Sequence, residues 1–207
     1  MVRRARLFDE KGGNGVKGET RRPGGLRKGA AALLLVLLSA CAGVPSPFYI
    51  NQAAPPQRGM TVAILPFENL STDPNAGTIM AQMTASELYA RNIFKLMEET
   101  EARQRAAAAR IDLSQLGETT AAGAAAKALG VNAVLVGSVT EYRYQHGLKE
   151  EPTVSVTARL VRADGTVMWA TTRSSIGGGF LQRGSLSETA QSVAALMVQY
   201  LAAGTQQ

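Results

Sequence analysis

The sequence predicts a single α/β domain of mixed α+β type, in the order β-α-β-α-α-β-β-β-α, with helices packed on a mixed sheet. Three observations predict it. The stretch MTVAILPF, residues 60–67, is a short apolar, β-branched run of the kind a buried strand uses. TVSVTARLV, residues 153–161, alternates with period two and is joined to TVMWATT, residues 166–172, by Arg162-Ala163-Asp164-Gly165, where Asp-Gly marks a hairpin. Towards the C-terminus, Ser185 and Glu188 have capping-box spacing, and Leu186, Ala190, Val193, Ala194, Met197, Tyr200 and Leu201 recur at helical intervals.

The elements between follow in order. Pro66 marks the end of the first strand or a sheet edge. In ENLSTDPNAG, Asp73 is read as an N-cap with Pro74 in the first turn of a helix that runs to about Arg91 and buries Ile79, Met80, Met83 and Leu88. IFKLM, residues 93–97, is a second short strand. Alanine propensity supports a helix from Glu101 to about Arg110, and another from Thr120 to Leu129, which Gly130 ends as a left-handed terminator. NAVLVGSVTEYRY, residues 132–144, is the longest strand signal. Trp169 falls on a strand and reads as core or a subunit contact, while Tyr142 and Tyr144 share one strand face.

The N-terminal part carries a different message. Arg21, Arg22, Arg27 and Lys28 precede an apolar stretch from Ala30 to Cys41, the basic and hydrophobic regions of a secretory signal. It is too short to span a bilayer, which takes about 20 apolar residues. Cys41 is the only cysteine in 207 residues, and Leu38-Ser39-Ala40-Cys41 resembles the bacterial lipobox, whose cysteine is acylated and becomes the mature N-terminus. Residues 1–40 therefore read as a lipoprotein signal peptide, 41–59 as a lipid-anchored flexible tether rich in proline, 60–203 as the folded domain, and 204–207 as a tail. Translation starting after Met1 would fit the long leader, and the weak twin-arginine likeness of TRRPGGL lacks the usual apolar contacts.

Charge and residue types exclude several functions. Residues 1–40 hold nine Lys/Arg against three Asp/Glu, and residues 41–207 hold thirteen of each, so the basic character belongs to the leader. No basic patch points to nucleic acid. His146 is the sole histidine and is read in a polar turn, so neither a histidine-based triad nor a multi-histidine metal site is expected, and no cysteine follows Cys41. GFLQRGS, residues 179–185, has phosphate-loop glycine spacing without the lysine, so no cofactor, metal or catalytic residue is assigned and the chain is not expected to be an enzyme. Phe180 and Leu181, on a glycine-rich loop with Arg183, are candidates for lipid contact; packing against the final helix is the alternative reading.

TVAILPFENLSTDPNAG, ALGVNAVLVGSVTEYRY and ARLVRADGTVMWAT resemble the domain shared by TolB N-terminal modules, the secretion lipoprotein CsgG and the synthase activator LpoB. GSVTEYRYQHGLKEEP together with RGSLSETAQ is most similar to the PelC family of exopolysaccharide-export lipoproteins. That resemblance implies an oligomeric ring at the periplasmic face of the outer membrane, beside a β-barrel partner, guiding a cationic polysaccharide. Glu98, Glu99, Glu101, Glu150 and Glu151 are the acidic candidates for that guidance, with an ordinary solvated surface as the alternative for each. Two other readings stay open: a CsgG-like secretion component, disfavoured because segments 143–152 and 172–184 are too short for spanning hairpins, and an LpoB-like activator of a cell-wall synthase. The latter needs long reach, and an eighteen-residue tether extends roughly 60 Å at most.

Overall fold

The structure is a computed structural model that describes residues 48–146, 150–178 and 184–206. A seven-stranded mixed sheet forms its centre. In chain order the elements are β1 (Phe48–Ile50), β2 (Thr61–Ile64), β3 (Glu68–Asn69), α1 (Ala76–Arg91), β4 (Lys95–Leu96), α2 (Glu99–Ala108), a 3₁₀ turn (Leu113–Gln115), α3 (Thr119–Leu129), β5 (Ala133–His146), β6 (Glu150–Arg162), β7 (Val167–Ile176) and α4 (Leu186–Ala203). Strands lie in the order β1-β7-β6-β5-β2-β4, with β3 pairing β5. β2 is parallel to β4 and β5, while β5, β6, β7 and β1 form an antiparallel run.

Connectivity places the helices on both faces. The step from β2 to its neighbour β4 carries α1, and the return from β4 across β2 to β5 carries α2 and α3. Since parallel crossovers are right-handed, opposite steps put their helices on opposite faces. Alternating side chains then feed two cores. Val62, Leu135, Val156, Leu160 and Trp169 pack under α1 and α4. Ala63, Leu65, Val134, Val136 and Val161 pack under α2 and α3.

The hairpin and helix ends expected from sequence are present. Gly165 has φ 86°, and Asp164 accepts a hydrogen bond from the Thr166 amide at 2.9 Å. Pairing with the Arg162 guanidinium, reinforced by that amide, holds the Asp164 carboxyl well below the usual carboxylate range. Gly130, φ 71°, ends α3. Ser185 and Glu188 form the capping box, each side chain bonded to the other's amide at 3.1 and 3.3 Å. Replacing Ser185 by alanine is expected to cost about 1 kcal/mol of stability, read by urea unfolding of the protein.

Five expectations are revised. Helix α1 begins at Ala76 rather than Pro74, with Asn75 at its N-cap position, because the Asp73 carboxylate is taken by the Asn75 amide in a turn ahead of the helix. Helix α2 begins earlier than Glu101, because the Glu98 side chain caps it, accepting from the Thr100 and Glu101 amides at 2.8 and 3.1 Å. Residues 48–59, read as part of the tether, are folded onto the body: β1 pairs with β7, Pro56 is buried, and Arg58 and Pro56 exchange backbone hydrogen bonds with Gln206. Gln206 thereby joins the fold instead of a free tail. Strands β6 and β7 also run further than their apolar pattern, to Glu150 and Ile176.

Candidate functional site

The features that set this surface apart lie at the two edges of the sheet. At one edge β4 is only two residues long, so the end of β2 is left without an outer strand. α1 borders this gap from one face and α2 from the other. The result is a cleft of about 250 Å³ lined by Ala81, Ala85 and Tyr89 of α1, Leu96 and Met97 at β4, and Ala102 of α2. Its width comes from the alanines, which keep both helix walls thin. Glu98, Glu99 and Arg103 form its polar rim, and Tyr89 is 57% exposed.

At the other edge, β1 presents one aromatic ring on each face of the sheet. Phe48 is opposite Thr171 and shares the α4 face; Tyr49 is opposite Ala170 and points to the other side. The Phe48 and Tyr200 rings have centroids 5.0 Å apart. Beneath them Arg173 is 6% exposed, its guanidinium lies 4.0 Å from the Tyr200 ring centroid, and its Nε and Nη2 have no hydrogen-bond partner. A buried cation held mainly by an aromatic ring is costly to fold.

The acidic candidates fall into two groups. Glu98 caps α2, Glu99 pairs with Arg103, and Glu101 pairs with Arg105 at 2.6 Å, while Arg105 also donates to the Leu129 carbonyl. Glu150 and Glu151 stand at the far end of the β5–β6 pair, opposite His146 and Gln145. Met97 is bonded to Val62, which is level with Ala133. The two groups are therefore separated by most of the length of β5, roughly 35–40 Å at about 3.3 Å per residue. One subunit does not bring them together.

Of the tyrosines read as sharing a strand face, Tyr142 is buried and its phenol is pushed up by that burial, with Asp73 and Tyr144 acting in the same direction. The Tyr144 hydroxyl accepts the Leu186 amide at the start of α4. Trp169 is core, 1% exposed. Cys41 with Leu38, Ser39 and Ala40, and Phe180, Leu181 and Arg183, lie outside the described residues. Among the described residues no helix is long and apolar enough to cross a membrane, and no three His, Cys, Asp or Glu side chains converge as a metal site. Sequence reasoning missed the cleft and the β1 edge.

No family model and no curated protein sequence matches the chain. Solved structures do. Two PelC dodecamers from Paraburkholderia phytofirmans are similar to it, one at 26% identity and TM-score 0.54, covering 75% of this chain and 98% of that one, the other at 25% identity and TM-score 0.53, covering 78% and 100%. The chain resembles PelC. Lipoprotein GNA1162 from Neisseria meningitidis shares the fold at 22% identity and TM-score 0.54, covering 70% of this chain and 99% of that one. The resemblance read from GSVTEYRYQHGLKEEP and RGSLSETAQ thus agrees with the fold.

Proposed function

We propose that this chain is a lipid-anchored outer-membrane protein that assembles as a ring of copies on the periplasmic face and assists export of a polysaccharide through a partner β-barrel. The observation that carries the reading is the likeness to the PelC dodecamers, whose subunits are matched over almost their whole length. The protein acts by position and charge rather than by a catalytic step. Cys41 is its acylation site, and Phe180 and Leu181, with Arg183 near the headgroups, add a second contact with lipid.

The folding of residues 48–59 onto the body supports placement close to the bilayer. Six residues, 42–47, lie between Cys41 and Phe48, so the seven backbone steps have a stretch limit of roughly 25 Å. That is less than half the reach estimated for the full tether, and it weighs against an activator that extends deep into the periplasm.

In a ring, each acidic group would repeat as its own circle of charge. Glu150 and Glu151 are the cleaner ones to test, because both are exposed at a strand end, whereas Glu98 is needed to cap α2. Reversing both to lysine is expected to reduce polymer export several-fold with unchanged thermal stability; unchanged export would remove these residues from the account. The whole reading is tested by deleting the gene and measuring secreted polysaccharide. Loss of secretion with normal sensitivity to cell-wall antibiotics is expected. Normal secretion with raised antibiotic sensitivity would favour the synthase activator instead.

A further inference from the structure

We propose that the two sheet edges are the two halves of a head-to-tail contact between copies of this chain, the cleft between α1 and α2 receiving the β1 edge of a neighbour with Phe48 and Tyr49 as the inserted rings. This rests on the ring reading and names the surfaces that would build it.

Shape argues first. The cleft is bounded by a helix from each face of the sheet, with Ala81 and Ala85 on one wall and Ala102 on the other. An edge that carries one aromatic ring on each face is the wedge that such a cleft admits. Both rings are about half exposed, at 45% and 51%, so the monomer leaves substantial aromatic surface in water. Rings of this kind bury about 150–250 Å² each and anchor interfaces when they enter pockets.

Distribution argues second. Among the described residues, Phe48, Tyr49, Ile176 and Leu196 account for half of the large exposed apolar side chains, and all lie on β1, β7 or the α4 turn that precedes Tyr200. Tyr89 lines the cleft. With Tyr89, five of these eight side chains lie on β1, β7, α4 or the cleft, the remaining three being Leu70, Leu113 and Tyr144, so the two edges hold most of the apolar exposure expected of interaction surface.

Closure argues third, and it selects a second copy over another partner. A ring needs two different, complementary patches on one subunit, and in a ring of n subunits they face apart by 180° less 360°/n, roughly 150° for twelve. β1 and β4 are the opposite edges of the sheet, about 24 Å apart at roughly 4.8 Å per strand. Because the two patches lie on opposite edges, one partner cannot engage both reciprocally, so a two-fold dimer would leave one patch on each copy open.

The test uses the full chain in membranes, which carries no cysteine beyond Cys41. Tyr49→Cys and Ala85→Cys are made singly and together, and a short bis-maleimide is added. Co-expressed single variants are expected to give a cross-linked dimer that neither gives alone, and the double variant a ladder of higher species. Phe48→Ser combined with Tyr89→Arg should turn the oligomer into monomer with unchanged far-ultraviolet circular dichroism. A large oligomer that never cross-links between these positions, and survives the paired substitution, overturns the assigned surfaces while leaving the ring intact. A wild-type chain that is monomeric in membranes and detergent overturns the ring as well.

Discussion

Changing Cys41 to alanine is expected to abolish acylation and, with residues 1–40 replaced by a signal peptide that is cleaved without lipid, to move the whole pool of protein from the membrane fraction to the soluble periplasm. One acyl chain gives only marginal, reversible binding, whereas two or more hold a protein stably, each buried methylene adding about 0.8 kcal/mol. A lipobox cysteine is the attachment point for such chains. The described body supplies no membrane-crossing helix to replace them. Residual binding through Phe180 and Leu181 should be weak and removed by washing. Fractionation with palmitate labelling reads the result: labelled protein that stays with the membrane after the substitution would show that Cys41 is not the anchor.

Trp169→Ala should be the most damaging change in the body, costing about 3–5 kcal/mol out of a total that is typically 5–15. The side chain is 1% exposed, and its strand lies between β6 and β1 under α4. Removing it empties the region where three elements meet. Trp169→Phe should cost much less. Its indole Nε1 is buried without a hydrogen-bond partner, so phenylalanine gives up volume but also removes an unsatisfied donor worth about 1–3 kcal/mol. Denaturant unfolding of both variants separates the two contributions, and equal losses would mean that the indole nitrogen has a partner in solution.

What could be read in advance follows from where each element's stability resides. The order of the major strands and helices was legible because their determinants are local: period two in residues 153–161, Asp-Gly at the hairpin, glycine at 130, and Ser185 with Glu188. β1 was not, since three residues in a proline-rich stretch form a strand only through pairing with β7. β3 has two exposed residues and no pattern at all. The extension of β6 is Glu150-Glu151-Pro152 and that of β7 is Arg173 to Ile176, neither of them an apolar alternation, and the latter is tied across the sheet by Ser174, whose hydroxyl donates to that of Ser155 at 2.7 Å.

The same holds for the site. Acidic residues could be named from sequence, but not that Glu98 is occupied by a helix end or that Glu150 and Glu151 sit far from it. The cleft depends on a strand being too short and on alanines from two helices on opposite faces. Its only forewarning was the shortness of IFKLM. Arg173, buried over Tyr200, gave no signal, because it lies just past TVMWATT, residues 166–172, and only the continuation of β7 puts it on the face of Trp169 and Thr171.

The central claim is that this anchored domain works as an assembly, and the most direct measurement is its mass by light scattering across a concentration series, for the detergent-extracted full chain and for residues 42–207 without lipid. The account predicts a single large species of many subunits whose mass does not change on dilution, at least for the lipidated form. A monomer at every concentration, with lipid or without it, would contradict the account.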